Sequence, residues 1–405
     1  MLKRIDQYFD GVAWKRLSAV DADPDRSNQH ELGGLVKAGF KQHLGDPGPD
    51  TYTFQARYVL LADDEDDSVY AEGVASWYDS RRHQAHRGPE FRLYYDSNPV
   101  TEQLEAGMFL AVAKLRSGEL LLIFAAADST GEQQLRWLFG IESPGIQLQG
   151  KEFGKSDERL SWAATWILEK LGIEIVADDD SWLENIIEQF GEAFPPTKQF
   201  SAFARNVLAD LDPLTRPDET LIRVTETEEH FFRILERHIV QKRLDSGFSS
   251  VDDFISYSLS VHNTRKSRAG HSFENHLEFI FEAHDLKFAR NVQTELRSKP
   301  DFLFPGLDEY SNHSFPDSQL TMLGVKTTCK DRWRQVLREA SRISEKHLAT
   351  LEPGISENQT EQMRESSLQL VLPDALHQTY APAQREWLWT IGDFIDFRKT
   401  IDNSL

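Results

Sequence analysis

The pattern of apolar residues changes character once, near the acidic run Asp178-Asp179-Asp180, and that change divides the chain. Ahead of it, apolar residues come in short stretches bounded by turn formers, which is how strands read. Residues 52–61 partly alternate. Residues 108–115 and 119–124 flank Arg116-Ser117-Gly118 as the two arms of a hairpin flank its turn. Gly33-Gly34, Asp46-Pro47-Gly48-Pro49 and Asn98-Pro99 mark further turns. The spacing of Leu160, Ala163, Ile167 and Leu171 predicts one helix, from Glu158 to Leu171, with helices otherwise scarce in this half. Behind the run, a helix is expected over 181–190, then a break at Pro195-Pro196, then helical patterns over 200–210, 226–243, 251–261 and 269–284. Short strands are expected at 300–304, 320–328 and 368–372, with a helix from Asp331 to about His347 between the last two. Such alternation argues an α/β core. A chain of 405 residues suits two domains, here 1–177, rich in strands, and 178–405.

A single cysteine, Cys329, excludes an intrachain disulfide and a multi-cysteine zinc site, and fits a reducing compartment. The N-terminus has no apolar h-region, so no signal peptide is expected. The longest apolar run, Leu120 to Ala127, is far short of the ~20 residues that cross a bilayer. A soluble, cytoplasmic protein without a membrane partner is expected. The net charge is -21, and neither half is basic. A nucleic-acid binder driven by overall charge is thereby excluded, unless basic residues cluster locally on an acidic body. They do cluster. Arg81, Arg82, Arg87 and Arg92 stand against Glu90, with His83 and His86 among them. Arg265, Lys266 and Arg268 lie in an acid-free stretch, and Lys326, Lys330, Arg332, Arg334 and Arg338 stand against Asp331. One such cluster is ordinarily a solvated face; three in so acidic a chain are harder to dismiss.

No P-loop, no GxGxxG and no HExxH is present. The back half does carry a carboxylate–lysine constellation: Asp301 at the head of an expected strand, Lys326 on a second strand, Glu339 beyond it, and Glu274 on the preceding helix. Carboxylates of this kind hold Mg²⁺, and a lysine beside them can orient or deprotonate a water and contact the scissile phosphate. Taken on spacing alone, the same residues are also ordinary surface acids and a snorkelling strand lysine. Lys326, mid-strand, is costly there unless paired. Lys330-Asp331-Arg332 follows it. Lys and Arg donate to guanine and Asp accepts from cytosine, so the triplet suits reading of C·G pairs; Asp331 is equally suited to an ordinary helix cap.

These residues resemble the EcoRII-type restriction endonucleases. The likeness is carried by residues 265–270, by 299–305, by the uninterrupted run from Val325 to Gln335, and by Met363 to Ser366. It implies a restriction-endonuclease-like PD-(D/E)xK core in the back half, with a mixed sheet flanked by helices, α+β in class. Asp301 and Lys326 would be catalytic, Glu339 the displaced second acid and Glu274 the helix carboxylate. Asp301, Glu339 and Glu274 would hold Mg²⁺. In the commoner nuclease pattern the second acid lies two residues before the lysine, a position filled here by Gly324. Tyr310 matches a family position near the active site. Lys330, Asp331 and Arg332 would read CC and GG, with Arg265, Lys266 and Arg268 also at the DNA.

The front half is similar to the family's effector-binding domain, a pseudobarrel like plant B3 domains that grips DNA between two loop arms. The resemblance places Lys15, Arg16 and His30 on one arm, and Arg81, Arg87, Glu90 and Arg92 on the other. It implies a Mg²⁺-dependent type II endonuclease for a CCWGG-like site. Its partners would be two copies of double-stranded DNA, target and effector, and a second copy of the chain in a homodimer. The alternative is a non-cleaving B3-like regulator with a nuclease-like dimerisation scaffold. A repair nuclease would keep the catalytic set without needing Lys330-Asp331-Arg332.

Overall fold

The computed structural model describes residues 4–22, 30–63, 67–84, 86–154, 160–173, 180–295, 298–329 and 332–403. The chain divides into two compact units, residues 2–174 with 354–356, and residues 175–353 with 357–405.

The front unit is one eight-stranded sheet. Its strands are β1 (Phe9–Arg16), β2 (Glu31–Leu32), β3 (Thr51–Leu61), β4 (Val69–Asp79), β5 (Phe91–Tyr95), β6 (Phe109–Leu115), β7 (Leu120–Ala125) and β8 (Gln149–Glu152). They lie in the order β2-β5-β4-β3-β7-β6-β1-β8. β3 and β7 run parallel, and the other neighbours are antiparallel. The expected hairpin is present as β6 and β7. Alternation then sorts the side chains: Tyr58, Trp77, Leu93, Tyr95, Leu110, Val112, Leu122 and Phe124 share one buried core. The sheet curls. At Gly150 in β8, a Cβ would lie 2.4 Å from the carbonyl oxygen of Ala38, in the segment after β2. Strands at opposite ends of the order are thus drawn together, and only glycine admits that approach.

The front half also contains a helix that the sequence reading did not include, Thr130–Phe139. Its polar composition hides it, but its ends are marked. Ser129 accepts from the Glu132 amide, and Gly140 closes it at φ 65°. Phe139 packs on Phe9 and Phe153, with centroids 5.5 and 6.0 Å away. The expected helix near 158–171 is Trp162–Lys170; Glu158 lies outside the described residues.

The back unit opens with helices Leu183–Phe190, Thr197–Val207, Pro217–Ser246 and Val251–Ala283. Ile186, Phe200, Ala204, Phe231, Phe232 and Leu235 form their common core. The two helices expected over 251–261 and 269–284 are one helix of 33 residues. The intervening residues carry no apolar stripe because cross-helix polar bonds replace it: Arg265 pairs with Glu236, and Arg268 donates to the Pro195 carbonyl.

A five-stranded mixed sheet follows: β9 (Ala289–Arg290), β10 (Phe302–Phe304), β11 (Thr321–Lys326), β12 (Lys346–Thr350) and β13 (Leu368–Val371). Order and sequence agree, with β9, β10 and β11 antiparallel and β11, β12 and β13 parallel. On one face, Phe281 of the long helix and Phe394 of helix Ile391–Asp402 pack on Phe304, at 5.6 Å each.

Two expectations are corrected. The helix expected from Asp331 to His347 is a single turn, Trp333–Val336, and Lys346–Thr350 is a wholly buried strand between two others. Its Lys346 and His347 made a central strand look like a polar helix. Lys326 does not sit mid-strand; it ends β11, where the strand leaves the sheet. That placement lets the ammonium emerge from a buried strand.

Candidate active site and DNA-facing residues

Asp301 immediately precedes β10 and is buried. Both of its bonds fall on Oδ2, which accepts from the Val325 amide at 2.6 Å and from Lys326 Nζ at 2.9 Å. Adjacent antiparallel strands fix this: Phe302 pairs with Leu323, so the residue before β10 faces the end of β11. Burial pushes the Asp301 carboxyl up, Lys326 and the Val325 amide oppose it, and the nearby Glu274 adds to the rise.

Glu339 follows the single turn Trp333–Val336. Burial raises its pKa to about 7, Asp301 pushes the same way, and Lys326 and Lys346 pull it down. Its Oε2 is buried without a hydrogen-bond partner among the described residues. An orphaned carboxylate oxygen beside a second buried carboxylate is what a hard cation would satisfy. The pair Asp301 and Glu339 therefore fits a divalent metal bound by one or two carboxylates and completed by phosphate oxygens.

Packing explains why the position two residues before the lysine has no side chain. A Cβ at Gly324 would lie 2.9 Å from Val336 Cγ2 and 3.0 Å from Cγ1. The space beside the position two residues before the lysine is thus filled by Val336, and Glu339 lies three residues further on.

Glu274 departs from expectation. Its Oε2 accepts from Arg290 at 2.7 Å and from Asn291 at 3.2 Å. Among the described residues, no three His, Cys, Asp or Glu side chains gather as a metal cluster. Glu274 thus shapes the field at Asp301 and does not complete a three-carboxylate cage with Asp301 and Glu339. Tyr310 is buried, donates to Glu295 Oε2 at 2.7 Å, and has its pKa raised to about 12 by burial and that bond. Such a phenol stays protonated.

The reading triplet is only partly visible. Lys330 and Asp331 lie outside the described residues, and Arg332 is exposed at the start of the turn. Just ahead of them, the Cys329 amide donates to buried Glu352 at 2.6 Å. The Cys329 thiol is fully buried, which pushes its pKa up and leaves it inert. On the long helix, Lys266 is exposed and Arg265 pairs with Glu236 at 2.5 Å. Arg268, expected at the DNA, is instead buried, 4.8 and 4.9 Å over the rings of Phe200 and Phe232.

In the front unit the two expected arms differ. Arg81, Arg87 and Glu90 lie between β4 and β5, and Arg92 on β5. Glu90 bridges Arg81, at 2.5 Å, and Arg92, while Arg87 is exposed. Asp79 Oδ1 fixes the loop by accepting from the Arg81 amide at 2.9 Å and the Glu90 amide at 2.7 Å. Lys15 and Arg16 are instead part of β1, not of a loop arm. Lys15 bonds Asp21 at 2.7 Å, and Arg16 grips buried Glu132 at 2.7 and 3.0 Å. His30 stacks 5.2 Å from Tyr95.

Sequence reasoning passed over Glu295, Arg290, Lys346 and Glu352. Only Lys346 left a trace, as a lysine next to a histidine in a five-residue strand completed by Leu348, Ala349 and Thr350.

Known proteins resemble the chain along most of its length. The family model described as EcoRII C terminal matches residues 232–395. The chain is 33% identical to the type II restriction enzyme EcoRII of Escherichia coli over 409 residues, covering 96% of this chain and 94% of that one. It is 25% identical over 199 residues to the type II restriction enzyme SsoII of Shigella sonnei, covering 44% and 59%. Among solved structures, a complex of restriction endonuclease PspGI with substrate DNA aligns at a TM-score of 0.43 and 15% identity, over 52% of this chain and 95% of that one. Metal-depleted Ecl18kI with uncleaved, modified DNA aligns at 0.42 and 18%, over 56% and 85%.

Proposed function

The chain belongs to the EcoRII-type restriction endonucleases, a family of type II site-specific DNA endonucleases, and from that premise we propose how it acts. It hydrolyses phosphodiester bonds of double-stranded DNA at a CCWGG-like site, with Mg²⁺ held by Asp301 and Glu339. The observation that carries this is the shared Asp301 Oδ2, bonded to Lys326 Nζ, beside the unpartnered Oε2 of Glu339.

Each residue has a distinct task. The Val325 amide and Lys326 orient the Asp301 carboxylate toward the metal. Lys326, part exposed at the strand end, reaches from that bond to the scissile phosphate and orients the attacking water. When bound there, Mg²⁺ would neutralise charge on the reacting phosphate and lower the pKa of the attacking water. Arg332, with Lys330 and Asp331, reads the C·G pairs.

A second copy of the site binds the front unit through the arginines between β4 and β5 and regulates cleavage. Two catalytic units pair so that two centres address two strands. Exposed Val251, Phe254, Ile255 and Leu259 on one side of the long helix support that pairing, since such a stripe is costly in water. A cytoplasmic location belongs to the same reading; among the described residues no helix is long and apolar enough to cross a membrane.

The test is direct. The chain is incubated with Mg²⁺ and a plasmid carrying several CCWGG sites, beside one carrying none, with Lys326→Ala in parallel. Discrete fragments from the first plasmid only, abolished by the substitution, are expected. Binding without cleavage, with or without effector duplex, would favour the regulator instead, and cleavage elsewhere would discard the site.

A further inference from the structure

Glu339 stands in an unusual place. It does not belong to a strand that the sheet holds rigid. It sits in a turn, and the next residue, Ala340, has φ 46°, a conformation that a non-glycine residue adopts only when its surroundings impose it. Something must hold the turn.

The strongest hold comes from β12. Lys346, buried in the sheet, donates from Nζ to the Ala340 carbonyl at 2.8 Å and to the Ile343 carbonyl. Burying an ammonium is costly unless it is bonded and faced by opposite charge, and both conditions are met: Glu339 and Glu295 are the carboxylates that act on it. The far side of the turn has a second hold. Glu295 accepts from the Ser341 amide through Oε1 and from Tyr310 through Oε2. Arg342 then lies 5.5 Å over the Tyr310 ring and donates to the carbonyls of Tyr310, Asn312 and Phe315 and to Asp317.

We propose that Lys346 is a positioning residue of the nuclease centre. Its buried ammonium fixes the left-handed turn that presents Glu339 beside Asp301 and Lys326, with Glu295 and Tyr310 bracing the opposite side. The inference rests on Glu339 being a metal ligand, as argued above. It also gives Tyr310 a task other than chemistry: it is a strut between Glu295 and Arg342.

The test is calorimetric titration of Ca²⁺ into the full chain bound to a CCWGG duplex. Lys346→Met keeps the length of the side chain and removes charge and donors. It is expected to weaken Ca²⁺ about 10- to 100-fold, the range for loss of an outer-shell partner, while metal-free duplex binding changes little. Residues that act through one another do not add, so Lys346→Met is expected to cost almost nothing further in a Glu339→Gln background. Full additivity, or unchanged Ca²⁺ affinity in Lys346→Met, overturns the proposal. Unchanged affinity in Glu339→Gln alone instead removes Glu339 from the metal site. If Lys346→Met does not fold, Glu295→Ala carries the same test from the half-buried side, with a smaller loss expected and the same non-additivity required.

Discussion

The nuclease centre and the arginine loop of the front unit are opposites. In the first, two carboxylates, buried Asp301 and half-buried Glu339, are raised in pKa, and one oxygen of Glu339 has no partner among the described residues. In the second, one carboxylate, Glu90, sits between Arg81 and Arg92, with Arg82 and Arg87 exposed beside it. The first region sets two carboxylates close together, one with an oxygen that no described residue bonds, and so favours a cation. The second has more positive charge than its acid balances, and so favours an anion. Net charge conceals both. A chain at -21 can hold a phosphate-facing loop because binding depends on local contacts.

The sharpest break would come at Glu339. With its pKa at about 7, a proton competes with the metal for this carboxylate near neutrality. The metal binds the deprotonated form, so affinity falls as pH falls through that value. Ca²⁺ binding to the full chain should be roughly tenfold weaker at pH 6 than at pH 8, and Glu339→Gln should flatten the dependence. The arginines of the front loop themselves stay charged throughout this interval. A flat profile in the unaltered chain would end the comparison at this residue.

A pH effect on binding must be separated from one on folding, and His347 supplies the latter. It is buried in β12 among Trp389, Phe394 and Phe397, and burial pushes its pKa down to about 4, with Arg398 adding to the fall. A depressed histidine stabilises the fold above its ordinary pKa, and that stability is lost as pH falls toward the folded value. Urea melts should lose about 2 kcal/mol between pH 7 and pH 5, and His347→Phe should remove most of that loss. An unchanged midpoint over this interval would count against a neutral, buried His347.

How far the sequence could be read follows from the same contrast. Asp301 and Lys326 were legible because a Pro-Asp at one strand head and a lysine on the next strand become neighbours through plain antiparallel pairing. Glu339 was legible as the displaced acid only through the family likeness; its cause, Val336 filling the space at Gly324, lies in tertiary packing. β12 was misread as helix because burial of Lys346 and His347 is stabilised by contacts that periodicity does not register. The burial of Arg268 was not legible for the related reason that a cluster of basic residues does not say which of them turns inward. Lys15 and Arg16 repeat that lesson, since Asp21 and Glu132 claim them locally.

The smallest expected effect tests the other side of the comparison. Glu90 competes with phosphate for Arg81 and Arg92. Exposed pairs of this kind contribute about 0–1 kcal/mol to folding, so Glu90→Gln should leave stability nearly unchanged. It should steepen the salt dependence of duplex binding, because each further phosphate neutralised adds about 0.9 to the slope of log K against log salt. Arg87→Ala should shift the slope by a similar amount in the opposite direction. Both are measured by anisotropy titrations of the full chain carrying Lys326→Ala, so that the duplex stays intact. If both variants leave the slope unchanged, the loop between β4 and β5 does not contact phosphate, and its arginines serve only to hold Glu90.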